Sequence, residues 1–100
     1  MHVTKRTEHE ISKDISMWKG DPEPLVRSVI LSKEKDKYHL LRGIALYENT
    51  YFNSQQIKEF INELKEFSKE LGQEGRTEIE SLIKFAETIE LGDFLYFSGV

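Results

Sequence analysis

Phe52-Asn53-Ser54-Gln55-Gln56-Ile57 decides the fold of this 100-residue chain, because it fixes where its longest helix begins and at what angle. Asn53 is a good N-cap, and Gln56 at N3 can reach back to the Asn53 N–H as in a capping box. Phe52 before the cap and Ile57 at N4 then pair as a hydrophobic staple. From this start Ile57, Phe60, Ile61, Leu64, Phe67 and Leu71 recur at i, i+3, i+4 and i+7, one apolar stripe along one face. Gly72 is placed to close the helix in the left-handed conformation. The spacing therefore predicts a core helix over Ser54–Leu71.

Towards the C-terminus, Gln73-Glu74-Gly75-Arg76 is a short polar link, which sends the next helix back antiparallel. Thr77 is read as its cap with Glu80 at N3, Ile79, Leu82, Ile83, Ala86 and Ile89 as its inner face, and Gly92 as its stop. That predicts a second helix over Glu78–Leu91. Phe94-Leu95-Tyr96-Phe97-Ser98 is an aromatic strand too apolar to be left exposed.

Towards the N-terminus, Tyr38–Tyr47 reads as an inner strand with a bulge at Gly43, beside which the C-terminal strand is expected to lie. Glu48-Asn49 reads as a two-residue turn, and Thr50-Tyr51-Phe52 as the returning strand. Ser32–Lys37 alternates in charge, as a surface loop does. Lys19–Pro24 is a turn in which Asp21 can cap a short helix. Leu25–Leu31 fits either a short helix or a strand. His2–Thr7 alternates as an edge strand, and Ile11–Ile15 is read as a strand continuing from it, although a short helix also fits. Together these elements predict one α+β domain over residues 1–100: a small, mainly antiparallel sheet covered on one face by two antiparallel helices.

Composition narrows the function classes. The chain is 38% apolar and 32% charged, with no cysteine, which excludes disulfides, thiolate nucleophiles and cysteine-held zinc. No apolar run resembles a signal peptide or a membrane span, so a cytoplasmic protein is expected. Residues 1–37 carry 8 Lys/Arg against 7 Asp/Glu, whereas residues 38–100 carry 6 against 11. An acidic half argues against nucleic acid, which wants a basic stripe, and suits a basic protein partner.

Catalytic patterns are not found. His2, His9 and His39 are scattered, and none pairs with another His or a carboxylate at metal spacing. GxSxG, P-loop, GxGxxG and HExxH motifs are all missing, so no enzyme activity, metal or cofactor is expected. Glu63-Leu64-Lys65 matches the E-x-K fragment of metal-dependent nucleases, but on a helix its two side chains diverge by roughly 200°. The same helix sorts its charges. Lys58, Lys65 and Lys69 line one edge, while Glu59, Glu63, Glu66 and Glu70 are expected together on the solvent side. Like charges at i, i+4 cost a few tenths of a kcal/mol per pair, so the anionic edge is read as a contact for a positively charged partner. Tyr47, Glu48 and Tyr51 are expected beside it.

Residues 42–64, from Arg42-Gly43-Ile44 through Thr50-Tyr51-Phe52-Asn53 to Gln56, Phe60 and Glu63-Leu64, resemble a pattern in small uncharacterised bacterial proteins. There a strand leads through a tyrosine and a Thr-x-Phe-Asn turn into an amphipathic helix, and an aromatic strand ends the chain. Asn49 stands where that pattern favours aspartate. The resemblance implies an α+β fold and brings no catalytic residues. Many short, acidic bacterial proteins of this build are immunity proteins. By that analogy of size and charge, the expected function is an immunity-type inhibitor that occludes a basic toxin. The alternative is an adaptor or regulator that homodimerises through an exposed strand edge.

Overall fold

The computed structural model describes residues 1–7, 14–44 and 48–99. Its centre is a four-stranded sheet in the order β2-β1-β4-β3, with every neighbouring pair antiparallel. The strands are β1 (His2–Thr7), β2 (Asp14–Met17), β3 (Thr50–Asn53) and β4 (Asp93–Ser98). The helices are α1 (Glu23–Leu31), α2 (Ser54–Ser68) and α3 (Gln73–Ala86). An α+β domain with an antiparallel sheet is therefore the architecture, with α2 and α3 packed together and α1 as a third helix.

The aromatic C-terminal strand takes an inner place because it has most to bury. β4 lies between β1 and β3, in a register that sets Val3 opposite Phe97 and Phe52 opposite Leu95. Those four side chains are buried on the helix side, where the rings of Phe52, Phe60 and Phe97 meet at 4.9, 5.8 and 5.9 Å between centroids. Trp18 closes one end of this core. Its backbone N–H donates to the Val3 carbonyl, and its indole N–H donates to Ser81 Oγ at 2.9 Å, tying the sheet to α3.

The start of α2 forms as its sequence requires. Asn53 Oδ1 accepts from the Gln55 and Gln56 N–H groups, and Gln56 Oε1 accepts from Asn53 N at 3.0 Å. Phe52 and Ile57 are both buried beside this box. Asn53→Ala should cost about 1 kcal/mol of stability, measured by urea denaturation, whereas Asn53→Asp, which keeps the acceptor, should cost much less.

Other boundaries differ from expectation. α2 stops at Ser68, and Gly72 has φ −76°, so it is the extended N-cap of α3 rather than a left-handed stop. α3 accordingly begins at Gln73. Thr77 lies inside it, where its hydroxyl donates to the Gln73 carbonyl instead of capping. α3 ends at Ala86, and Gly92, at φ +91°, shapes the turn into β4. Leu25–Leu31 belongs to α1, whose buried side is Val26 and Val29. Of the strand expected over Tyr38–Tyr47, the described part, 38–44, is not a strand: Leu41–Gly43 is a 3-10 turn, and residues 45–47 lie outside the described ones. Among the described residues β3 pairs with β4, so the hairpin expected through Glu48-Asn49 is not part of what is described, and Asn49 Oδ1 accepts from the Gly99 N–H. Of the strand read at Ile11–Ile15, Asp14 and Ile15 belong to β2, and residues 8–13 lie outside the described set.

Candidate binding surfaces

The acidic edge of α2 is where sequence and structure part most clearly. At about 100° per residue, Glu59, Glu63, Glu66 and Glu70 do share one flank, but that flank faces residues 32–44. Glu63 is only 7% exposed. Its carboxylate accepts from the Leu40 N–H at 3.0 and 3.1 Å and from the Leu41 N–H at 3.1 Å. Glu70 accepts from Ser32 Oγ at 2.8 Å and from the Tyr38 hydroxyl. The expected solvent-side placement of Glu63 is thus corrected, for a plain reason. An irregular segment laid over a helix needs acceptors for its buried N–H groups, and a carboxylate supplies strong ones.

Tyr38 fits the same picture. Burial, then its bond to Glu70, pushes the phenol well above its ordinary pKa, so it holds its proton and serves as a donor. Its ring packs edge-on against Phe67 at 5.1 Å. Glu66 pairs with Lys69 at 3.0 Å and Glu70, though exposed, is held by Ser32 and Tyr38, which leaves Glu59 as the member of the edge with neither an ion pair nor a side-chain hydrogen bond to a described residue.

Tyr51 does not join that edge. It lies on the face of the sheet away from α2, in the row of Thr4, Met17 and Tyr96. Its ring is 4.6 Å from Tyr96 and 6.0 Å from Phe94. The Arg6 guanidinium sits 3.9 Å over the Tyr96 ring and donates to Asp14 Oδ1 at 2.7 Å. That donation holds the Asp14 carboxyl below its usual range. Glu48 is exposed, and Tyr47 lies outside the described residues. The expected contact residues are therefore divided between two sides of the molecule.

Sequence reasoning missed a third surface. α1 and the start of α3 enclose a cleft rimmed by Asp21, Glu74 and Glu78. The available signal was Glu74 and Glu78 at i, i+4 beside the apolar positions of α3. The misplaced Thr77 cap put Glu74 in a loop and hid that spacing.

Metal and membrane signals are also absent from what is described. Among the described residues, no three His, Asp or Glu side chains gather as a metal site, and His2 and His39 are exposed. No helix among them is long and apolar enough to cross a membrane. What the geometry defines is a small α+β domain with exposed carboxylates on its helices and an aromatic cluster on the sheet face away from α2. Comparison of the chain with models of known protein families, with characterised proteins and with solved structures finds no match.

Proposed function

We propose that this chain is a non-enzymatic protein-binding domain of the immunity type, which occludes a basic toxin through the acidic surface of its helices. One observation carries the reading. Glu59 on α2, Glu74, Glu78 and Glu80 on α3, and Glu87 at the C-cap of α3 are exposed, and none pairs with a cation among the described residues. Exposed carboxylates that form no ion pair add an attractive field for a cationic partner. The α2 edge contributes less to this surface than its sequence suggests, because Glu63 and Glu70 are engaged internally.

The test is binding of the chain to basic nuclease toxin domains from its own genome, followed by surface interferometry at several salt concentrations. Association should be fast at low salt and slow as salt rises. The triple variant Glu59→Lys, Glu80→Lys, Glu87→Lys should slow it by at least about tenfold without unfolding the domain. Failure to bind any of these domains would reject the proposal, as would binding indifferent to the triple variant.

A second reading, homodimerisation, is favoured by β2. This edge strand is exposed along its whole length, with Ile15 at 53% and Met17 at 54%. Unpaired edge groups beside apolar side chains are a template for a second strand. A mass of two chains by light scattering, lost on Ile15→Lys, would favour that reading over the first.

A further inference from the structure

The cleft between α1 and α3 has a volume of about 350 Å³ and a mostly apolar lining. Pro24 and Leu25 contribute from the α1 side, Leu71 and Ile79 from the other. Among the described residues its charged lining is Asp21, Glu74 and Glu78, all three exposed at the rim. A volume near the lower end of ligand clefts, roughly 300–1,000 Å³, has room for one long side chain rather than a folded segment.

The carboxylates there are not explained by the fold. Glu74 lies in the first turn of α3, where the helix dipole favours it. Glu78 lies one turn further on, gains little from the dipole and meets the like charge of Glu74 at i, i+4. No described cation pairs with either. Asp21 does use Oδ1 to accept from the Glu23 N–H at 3.0 Å. Glu78 also approaches the chain closely at Gly20, where an added Cβ would lie 2.7 Å from its Oε2. An apolar wall under an uncompensated anionic rim is complementary to an aliphatic stem that ends in a cation.

We infer that this cleft receives a single lysine or arginine side chain of a basic protein partner. The stem lies along Leu25, Leu71 and Ile79, and the cation sits among Asp21, Glu74 and Glu78. The inference rests on the basic-partner reading for its source of ligand, but its test does not require that partner.

The ¹⁵N-labelled full chain is titrated with Nα-acetyl-lysine N-methylamide, its arginine counterpart, and the norleucine analogue that has the stem without the charge. Both cationic probes should shift amide resonances within residues 21–28 and 71–79 and saturate, while norleucine should not. The double variant Glu74→Gln, Glu78→Gln should weaken the cationic probes by at least about tenfold. Ser28→Phe, which fills the cleft without altering charge, should remove the response while keeping a native spectrum elsewhere. Equal response to norleucine, shifts scattered over carboxylates across the surface, no response, or indifference to the double variant would each overturn the inference. A cleft that seats the lysine probe when no basic protein binds the chain overturns the protein source and keeps the cation slot. Partner binding with an unresponsive cleft rejects the cleft alone.

Discussion

Phe60→Ala should cost about 3–5 kcal/mol, enough to leave the domain partly unfolded in water. Phe60 is fully buried, and its ring meets Phe52 at 4.9 Å and Phe97 at 5.9 Å. It therefore joins α2 to β3 and to β4 at one point. Truncation removes the transfer free energy of the ring and leaves a cavity, because three rigid elements around the site cannot all move in. Each aromatic contact adds a further increment of roughly 0.5–1.5 kcal/mol beyond the area buried. The measurement is the urea midpoint, which should fall with little change in slope. Leu91→Ala is the control, since Leu91 is 90% exposed and its loss should stay within about 0.5 kcal/mol. A Phe60→Ala loss below about 1 kcal/mol would mean that α2 does not organise the core as described.

How much of this was legible depended on whether the signal was local. The α2 cap was readable because Asn53 and Gln56 lie three residues apart and bond to their own backbone. β4 was readable as buried because four consecutive apolar or aromatic positions, from Phe94 to Phe97, leave no polar face for water. Its neighbours were not, since pairing with β1 joins residues that are 86 to 96 positions apart, from Thr7↔Asp93 to His2↔Ser98. Gly72 misled because glycine suits an extended N-cap as well as a left-handed stop, and φ −76° selects the first. That misreading moved the whole of α3 by five residues.

Residues 38–44 failed for a different reason. Tyr38, Leu40, Leu41 and Ile44 are apolar enough for an inner strand, but the Leu40 and Leu41 N–H groups bond to the Glu63 carboxylate on α2, and those of Tyr38 and Ile44 close local turns on the Lys35 and Leu41 carbonyls. The clue was present in α2 itself. Glu63 lies at i+3 from Phe60 and i−4 from Phe67, so it borders the buried stripe rather than the solvent face. A carboxylate in that position must either neutralise or find donors. Read that way, the sorting of charge on α2 is first a structural device, which leaves Glu59 as its unengaged remainder. The aromatic face formed by Tyr51, Phe94 and Tyr96 was likewise hidden, because only the register of β3 on β4 places Tyr51 opposite Tyr96.

Glu63→Ala should then destabilise the domain by about 3–5 kcal/mol, a surprising loss for one glutamate on a helix otherwise rich in exposed ones. The substitution deletes the acceptor of two backbone N–H groups, those of Leu40 and Leu41, and the second of these bonds is buried. Each N–H left unpaired costs about 1–3 kcal/mol, and bonds to a charged acceptor lie at the upper end. Leu41 and Ile44, both buried, lose the constraint that holds them down. Glu63→Gln keeps one carbonyl acceptor and should recover roughly half of the loss. Glu59→Ala, on the same flank but exposed, should stay within about 0.5 kcal/mol. Amide exchange gives the sharper readout, because protection at Leu40 and Leu41 should fall in Glu63→Ala well before the rest of the domain opens. Equal stability of Glu63→Ala and Glu59→Ala would show that the carboxylate does not anchor this segment. Charge reversal at Glu63, which buries a lysine against two N–H donors, should prevent folding outright, so a test of partner binding must leave this residue untouched.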